Sequence, residues 1–279
     1  MQLSRLSRAL GEHKVVGCEE ADAERVVKSA GRVLRILELF DVLRREALVS
    51  EVSDLLDMPQ SSTSVLLRSL GVMGYLYYNP ETRAFGPTTR VALLGSWING
   101  PLVSDGPLMR LLERVNARTG LGVVLAARNQ IWSQYIHVVQ ATDPIRIFVV
   151  KGSKRPLVRS GTGHALLADL PDADIKRIAV RSNAEAREGE PLVCISALLE
   201  QVAAVRANGY AISHNAVTEG AGVIAMRLPR LINEERFVVG VSGTTDILRE
   251  RQDDIVMALH EEIGGHFATV EPDRPVTHC

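Results

Sequence analysis

The segment LVSEVSDLLDMPQSSTSVLLRSL, residues 48–70, decides the fold of the N-terminal part of this chain. Its first apolar side chains recur at the i, i+3, i+4 spacing of one helical face: Val52, Leu55 and Leu56. Ser50 precedes them as the predicted N-cap. The pattern breaks at Asp57-Met58, and Pro59 suits the start of a second helix because its fixed φ is already helical. The segment therefore predicts two short helices joined by a tight turn.

The second predicted helix, which begins near Pro59, has an apolar inner face and a polar outer face. Its inner face carries residues at helical spacing: Thr63, Leu66, Leu67, Leu70 and Met73. Its first turns carry the candidate DNA-binding residues: Gln60, Ser61, Ser62, Thr63, Ser64 and Arg68. Side chains of these types hydrogen-bond bases or phosphates when a helix enters the major groove. The alternative is a solvated helix start that is rich in capping residues.

A hairpin is predicted for GYLYYNPETRAFGPT, residues 74–88, because two short strands rich in Tyr and Phe flank an Asn-Pro turn. An amphipathic helix from Ser29 precedes the two short helices, so the order is helix, helix-turn-helix, hairpin. This is the order of a winged helix, in which the hairpin lies beside the recognition helix. Arg83 would lie on the wing and is a further candidate DNA contact. The alternative is a small edge hairpin packed by its tyrosines.

Length and composition favour a two-domain globular protein without a global basic field. The chain has 279 residues, which is long for one hydrophobic core. Its hydrophobic content of 46% and charged content of 23% are ordinary for a soluble protein. The formal net charge is -1, and residues 25–90 carry nine basic side chains against seven acidic ones. Any positive charge for DNA binding must therefore be local.

Cysteine usage and the N-terminal sequence indicate a cytoplasmic protein. The three cysteines, Cys18, Cys194 and Cys279, have neither disulfide-framework nor metal-site spacing. No apolar run is long enough to span a membrane, and charged residues interrupt the N-terminus where a secretory signal needs an apolar core. We expect no membrane partner. Residues 1–24 lack periodicity and are predicted to form a flexible extension.

The second half of the chain predicts an α+β domain around a mainly antiparallel sheet. An apolar linking helix at 89–97 is followed by a break at Asn99-Gly100-Pro101, which sets the domain boundary near residue 100. Further helices are predicted at 107–119, 163–170, 172–180, 196–208 and 246–268. Strands are predicted at 122–128, 131–140, 145–150, 222–227 and 236–242.

The main candidate ligand site in this domain is RSGTGH, residues 159–164, which leads into a predicted helix. Its glycines let the backbone approach a ligand, and the unpaired N–H groups of a helix start favour an anion such as a carboxylate. Ser160 and Thr162 add hydroxyl groups. The loop matches neither GxxxxGK[ST] nor GxGxxG, which excludes both nucleotide-binding motifs. The alternative is a tight strand-to-helix connection.

Catalysis, a metal site and a cofactor all lack support in the sequence. The segment GVSGT, residues 240–244, lacks the last glycine of a GxSxG elbow, so Ser242 is not predicted to be a nucleophile. The seven histidines include no HExxH or comparable metal-binding spacing. The alternative to a DNA-binding regulator is a metabolite-binding protein or enzyme that retains a winged helix for protein contacts.

Both halves of the chain resemble the IclR family of bacterial transcription regulators. The winged-helix resemblance is carried, in order and spacing, by GRVLRILELF, by residues 48–70 and 74–88, and by RVALLG. The effector-domain resemblance is carried by PLVRSGTGHALLA at 156–168, NGYAISHNAVTEGAGVIAMRLP at 208–229 and VVGVSGTTDIL at 238–248. The chain departs from the family pattern at Met58, at His164 and in the segment after Tyr210.

The resemblance implies an α+β fold of two domains, an N-terminal winged helix-turn-helix and a C-terminal GAF-like domain with a mainly antiparallel sheet. The implied boundaries are 1–24 for the extension, 25–88 for the DNA-binding domain, 89–104 for the linker helix and 105–279 for the effector-binding domain.

The resemblance also implies partners and binding residues. The protein is expected to bind double-stranded DNA at a pseudo-palindromic operator, as a homodimer or homotetramer, under the control of a small organic acid. The implied effector pocket combines the 160–164 loop with residues of the two later segments: Ser160, Gly161, Thr162, Gly163, His164, His214, Asn215, Met226 and Ser242.

Overall fold

The computed structural model describes residues 14–16, 27–94, 106–142, 147–186, 189–229 and 235–269. Their contacts divide them into an N-terminal unit, residues 27–94, and a C-terminal unit, residues 106–269 together with 14–16. Within the predicted extension 1–24, Lys14–Val16 forms a strand, β1, which the sequence did not predict. The predicted linker helix beyond residue 94 lies outside the described residues. None of the described helices is long and apolar enough to cross a membrane.

The N-terminal unit is a winged helix-turn-helix, as predicted. Its elements, in chain order, are α1 (Lys28–Leu43), α2 (Val49–Leu56), α3 (Gln60–Val72), β2 (Leu76–Asn79), β3 (Ala84–Pro87) and α4 (Thr89–Leu93). β2 and β3 form the antiparallel wing, and Ala47 extends it through a backbone bridge to Phe85. Leu48, and not Ser50, occupies the N-cap position of α2, so Ser50 lies inside the helix.

Backbone conformation and burial fix the turn between α2 and α3. Asp57 follows α2 in the left-handed region, with a φ of 51°, a conformation that aspartate tolerates better than most residues. Met58 is buried in the core of the unit, and the Ser53 Oγ donates to its carbonyl at 2.6 Å. Arg35 of α1 closes the end of α2 by donating to the Leu56 carbonyl at 2.7 Å. The chain departs from the family pattern at Met58, and the side chain of this residue therefore contributes to the core of the N-terminal unit.

The C-terminal unit is an α+β domain built on a six-stranded sheet. Its helices are α5 (Pro107–Thr119), α6 (Gly161–Leu167), α7 (Asp172–Ala184), α8 (Ile195–Asn208), α9 (Thr245–Glu250) and α10 (Gln252–Thr269). Its further strands are β4 (Gly122–Asn129), β5 (Trp132–Val139), β6 (Ile147–Val149), β7 (Lys154–Pro156), β8 (Tyr210–His214), β9 (Ala221–Arg227) and β10 (Phe237–Thr244). The sheet order is β7-β5-β4-β10-β9-β8, and every neighbouring pair is antiparallel. β1 pairs in parallel with β6 in a separate ribbon.

Three features of this unit differ from the sequence prediction. The sequence prediction omits β7 and β8, the two edge strands, because their short sequences KRP and YAISH lack a clear alternation. The predicted helix 246–268 is two helices, α9 and α10, separated at Arg251. α6 begins at Gly161, with Ser160 as its N-cap, and not at residue 163.

Both faces of the sheet are buried, and alternate strand residues belong to two different cores. One core includes residues of α5, α9 and α10 together with Val123, Leu125, Ile224, Met226, Val239 and Val241. The other includes residues of α6, α7 and α8 together with Val223, Ala225 and Val238. Successive side chains of a strand point to opposite faces of the sheet, so neighbouring residues of one strand belong to different cores.

The short helix α6 lies closer to its neighbours than a side chain at Gly163 would allow. A Cβ at this position would lie 2.1 Å from the Leu157 carbonyl oxygen. On the sheet below, a Cβ at Gly240 would lie 2.9 Å from Val223 and 3.2 Å from Thr162. Glycine at 163 therefore lets α6 lie against the segment that follows β7, and glycine at 240 lets α6 pack directly on the sheet.

Gly163→Ala is expected to destabilise the C-terminal unit, because the added methyl group overlaps the Leu157 carbonyl and forces α6 to move. We expect a loss of about 2–3 kcal/mol, measured from the urea-unfolding midpoint by circular dichroism. Gly264→Ala in α10 is the matched control, since its Cβ meets no neighbouring atom within 4 Å in the described part of the chain. The control should be neutral or stabilising by up to about 1 kcal/mol. Equal effects of the two substitutions would contradict the packing role of Gly163.

Candidate functional site

The outer surface of α3 carries most of the predicted DNA-binding residues. Those accessible on it are Gln60, Ser61, Ser62, Ser64 and Arg68. Thr63 is different, because it is fully buried and its Oγ1 donates to the Pro59 carbonyl at 3.1 Å. Thr63 therefore belongs to the core and not to the accessible face, as its place in the inner helical stripe indicates.

An open groove of about 600 Å³ runs between α3 and the wing. Ser64 and Arg68 line it from the helix, and Arg83 lines it from the wing. Arg83 lies in the left-handed region, with a φ of 56°, directly before β3. Tyr77 and Tyr78 also line the groove and are about half exposed. The fold thus brings predicted DNA contacts from two separate segments to one groove.

Val65 is an exposed residue of α3 that is absent from the sequence prediction. Its side chain is 63% exposed and follows Ser61 by one helical turn. An apolar side chain at such a position can contact the methyl group of thymine. The i, i+4 spacing from Ser61 places Val65 on the same face of the predicted helix, but an apolar residue does not match the polar pattern on which the prediction depends.

Glu46, in the loop between α1 and α2, holds the wing in place. Its carboxylate accepts hydrogen bonds from the Tyr77 hydroxyl at 3.0 Å, the Asn79 amide at 3.1 Å and the Thr82 hydroxyl at 2.8 Å. The bonds from Thr82 and Asn79 lower the pKa of Glu46, because they stabilise the ionised form. A carboxylate therefore fixes the turn that carries Arg83.

The C-terminal unit contains a cavity of about 50 Å³ between β6, the α6 side of the sheet and the residues after β8. Its main apolar wall residues are Ile147, Val149, Val217 and Val223. Its main polar residues are Tyr135, Arg155, Ser160, Ser213 and Ser242. Of the predicted effector residues, Ser160 and Ser242 line this cavity.

Two backbone amides at the start of α6 donate to serine hydroxyl groups of the protein. Ser160, its N-cap, accepts the Gly163 N–H at 3.1 Å. Ser213 of β8 accepts the Gly161 N–H at 3.0 Å. The amides of Gly161 and Gly163 therefore already have acceptors within the protein, and binding of an anion at this loop stays a prediction. The glycines of the loop also serve close packing.

Several other predicted effector residues lie outside the cavity. Thr162 is fully buried beside its glycine neighbours. Asn215 closes a turn, with a φ of 55° and its Oδ1 accepting the Gly220 N–H at 2.7 Å. Met226 points into the opposite core, and Val223 of the same strand lines the cavity in its place. The alternation of strand side chains explains this last difference.

His164 and His214 line a second, open groove of about 610 Å³ between β8 and α8. The His164 Nε2 lies 3.1 Å from the Val158 carbonyl, and burial lowers the pKa of His164. Burial, followed by the charge of Arg249, lowers the pKa of His214. Both shifts favour the neutral form of the imidazole. Arg159 also lines this outer groove.

Tyr135 and Arg155 are cavity residues that the sequence did not identify. Arg155 on β7 is 5% exposed, and its guanidinium carbon lies 5.3 Å from the centre of the Tyr135 ring. Tyr135 makes side-chain hydrogen bonds with Arg155 and Thr162, and burial raises the pKa of its hydroxyl. Among the described lining residues, Arg155 is the one with a charged side chain. The sequence did not predict Arg155 as a cavity residue, because β7 has no recognisable strand pattern.

The described residues contain no group of three or more His, Cys, Asp or Glu placed to hold a metal ion. The Ser242 Oγ donates to the Gly122 carbonyl at 3.2 Å, within the sheet. Its hydroxyl is therefore engaged in a strand-to-strand contact.

Two family models match the chain. Residues 108–263, more than half of the chain, match the model described as Bacterial transcriptional regulator IclR C-terminal. Residues 29–80 match the IclR helix-turn-helix domain. The two matched segments lie in the C-terminal and N-terminal units, respectively.

Curated relatives match over most of their length. The chain is 29% identical over 249 residues to the HTH-type transcriptional regulator BhcR of Paracoccus denitrificans, an alignment that covers 88% of this chain and 86% of BhcR. It is 25% identical over 241 residues to the HTH-type transcriptional regulator XynR of Escherichia coli K12, covering 85% of this chain and 92% of XynR.

Solved structures share the fold. The IclR protein of Thermotoga maritima aligns with a TM-score of 0.61 at 18% identity and covers 86% of this chain and 97% of its own. An IclR homologue from Microbacterium hydrocarbonoxydans, complexed with 4-hydroxybenzoate, aligns with a TM-score of 0.54 at 19% identity. That alignment covers 84% of this chain and 99% of the homologue. At these identities the likeness concerns the fold alone.

Acid is expected to loosen the wing, because protonation of Glu46 removes the charge that its three donors bind. The pKa of Glu46 is lowered in the folded protein, so its contribution is complete above the ordinary glutamate pKa and is lost as the pH falls through the folded value. Hydrogen exchange of the β2 amides, corrected for intrinsic rates, should report decreasing protection over this range.

Glu46→Gln should show the reduced protection already at neutral pH, since an amide presents one acceptor oxygen where the carboxylate presents two. Glu81→Gln is the matched control, because Glu81 lies in the same exposed turn. Wing protection that does not change with pH, or that falls equally in both variants, would contradict the role of Glu46.

Proposed function

Because the chain belongs to the IclR family of bacterial transcriptional regulators, we propose that an organic acid bound in the cavity of its C-terminal unit controls operator binding by its N-terminal unit. The family defines a DNA-binding helix-turn-helix at residues 29–80 and a regulatory domain at 108–263. The protein is therefore a DNA-binding transcription regulator and not an enzyme.

The accessible face of α3 supports binding in the major groove. Gln60 and Ser61 stand at the N-terminal end of the helix, where recognition helices contact base edges. Arg68 and Arg83 lie on the groove between α3 and the wing, and guanidinium groups at such positions bind phosphates or guanine. Arg68 and Arg83 supply local positive charge in a chain whose formal net charge is -1.

The cavity in the C-terminal unit is the observation that carries the effector proposal. Its lining combines apolar walls with a few converging polar groups, as the lining of small-molecule sites does, and its volume of about 50 Å³ is smaller than theirs. The related protein from Microbacterium hydrocarbonoxydans was solved with 4-hydroxybenzoate, an organic acid, and we infer the same broad ligand class. The acid changes operator affinity if it binds one arrangement of the DNA-binding units more tightly than another.

We propose that the protein binds a pseudo-palindromic operator in the cytoplasm as a homodimer or homotetramer. One small motif with a slight charge surplus binds DNA weakly. Two linked motifs raise the effective concentration of the second contact and read two half-sites at a fixed spacing.

Arg68→Ala and Gln60→Ala are each expected to weaken operator binding by about tenfold or more, because each removes a group that faces the DNA. The operator is first selected from random duplexes with the wild-type protein, and affinity is then measured by fluorescence anisotropy at several salt concentrations. If Arg68 contacts a phosphate, Arg68→Ala also lowers the slope of log affinity against log salt concentration by about one in magnitude.

Arg177→Ala is the control, because Arg177 is an exposed arginine of α7 in the C-terminal unit. Its removal should leave operator affinity unchanged. Wild-type affinity in both α3 variants would place the DNA-binding surface elsewhere.

Ala221→Leu is expected to abolish the response to acids, because Ala221 lines the cavity from β9 and the larger side chain fills it. A thermal-shift screen of organic acids first identifies one that stabilises the wild-type protein. The variant should then show neither stabilisation nor an acid-dependent change in operator affinity. Ala204→Leu, in the outer groove, is the control and should respond as wild type does. A full response in Ala221→Leu would move the site out of this cavity.

A further inference from the structure

Val65 interrupts the polar outer surface of α3. Its side chain is 63% exposed. Residues three and four apart are neighbours on a helix surface, and the four such neighbours of Val65 are all polar: Ser61, Ser62, Arg68 and Ser69. A branched apolar side chain therefore stands in the centre of the surface proposed to meet DNA.

Two of these four neighbours already form hydrogen bonds within the helix. The Ser62 Oγ donates to the Pro59 carbonyl at 2.9 Å, and the Ser69 Oγ donates to the Val65 carbonyl at 2.8 Å. A serine hydroxyl has one proton, so neither side chain donates to a base without breaking its bond to the helix backbone. The remaining stripe, at i, i+4 and i+7, consists of Ser61, Val65 and Arg68.

The chemistry of valine restricts what Val65 can recognise. Valine has no hydrogen-bonding group, so it distinguishes base pairs only by apolar contact. The methyl group of thymine is the apolar group that base pairs present in the major groove. Cytosine carries a hydrogen at the same ring position, and the minor groove presents no methyl group. An exposed valine that faces the major groove therefore favours thymine.

Val72 is a second exposed valine on the same helix and provides an internal comparison. It is 92% exposed and follows Val65 by two helical turns. Seven residues return a helix to nearly the same direction, so the two valines lie on the same side of α3. Val72 is the last residue of the helix, whereas recognition helices contact base edges through their N-terminal residues. Val65 is thus the valine nearer to the bases.

We propose that Val65 contacts the methyl group of a thymine in each operator half-site and thereby selects T·A over C·G at one position. This assignment rests on the proposed placement of α3 in the major groove. Ser61 and Arg68, which lie one turn before and one turn after Val65, then contact base pairs or phosphates on either side of this thymine.

The test uses the full chain and an operator selected from random duplexes. The selected half-site should contain at least one invariant T·A pair. Each such thymine is replaced in turn by deoxyuridine, which removes the methyl group and keeps the hydrogen-bonding groups of the base. At the position that Val65 contacts, replacement in one half-site should raise the Kd about three- to fourfold, measured by fluorescence anisotropy. Replacement in both half-sites should raise it about tenfold or more.

Val65→Ser locates the contact on the protein. Serine has no methyl group, and the exposed position should tolerate it with little loss of stability, which circular dichroism checks. Deoxyuridine at the sensitive position should no longer change the Kd of this variant, because the contact is already lost. Val72→Ser is the matched control, since it makes the same change on the same side of the same helix. It should keep the full effect of deoxyuridine.

5-Methylcytosine provides the reciprocal test. Replacing the sensitive T·A pair by C·G should weaken operator binding by the wild-type protein. Methylation of that cytosine at C5 restores a methyl group to the major groove and should recover part of the lost affinity. Val65→Ser should show no recovery.

Three results would overturn the assignment: the selected half-site has no invariant T·A pair, deoxyuridine leaves the wild-type Kd unchanged at every thymine, or Val65→Ser keeps the effect of deoxyuridine. Loss of the effect in Val72→Ser alone would also overturn it, because the contact would then lie at the end of α3. The proposed function stands in all of these cases if Arg68→Ala and Gln60→Ala weaken operator binding. Wild-type affinity in both of those variants contradicts the placement of α3 itself.

Discussion

The close approach of α6 to the sheet is the constraint on which the C-terminal unit depends. The Gly163 backbone lies against the Leu157 carbonyl with no space for a Cβ, and Gly240 leaves matching space on β10. This approach places the Ser160 N-cap at the edge of the cavity and directs the Gly161 N–H to Ser213. A loop whose composition is typical of anion binding therefore also serves as a packing element. Its contribution to the cavity is a hydroxyl group, and the charge comes from another strand.

Placing that charge on β7 has an energetic consequence. A buried arginine lowers the stability of a fold relative to an apolar residue of similar size, unless its charge is compensated. Arg155 is supported by Tyr135, which is itself buried and stays protonated because burial raises its pKa. The Arg155 Nη1 also donates to the Lys154 carbonyl at 2.8 Å. The pairing of Arg155 with Tyr135 thus joins the packing of β5 to that of β7.

In the N-terminal unit, a carboxylate has the positioning role. Glu46 places a negative charge beside a surface proposed to meet phosphates, which is unfavourable by simple electrostatics. Three donors from the wing offset this by hydrogen bonding the carboxylate, and they include Thr82 of the turn. The bridge between Ala47 and Phe85 adds backbone support in the same region. The wing is therefore attached through its strands and through its turn, and Arg83 emerges from a fixed segment.

The sequence by itself determined the winged helix-turn-helix, the α+β class of the second unit and the bounds of elements such as α5, because these depend on local periodicity and turn chemistry. It also predicted the accessible residues of α3, with Thr63 as the exception that its own helical spacing identifies. Only the tertiary structure decided which donors are already satisfied, and that Val223 and not Met226 faces the cavity. It also decided that Arg155 is buried, since the three-residue strand β7 has no periodicity and acquires its surroundings only by pairing with β5. Hydrogen-bond satisfaction and burial are properties of contacts between distant segments, and no local pattern encodes them.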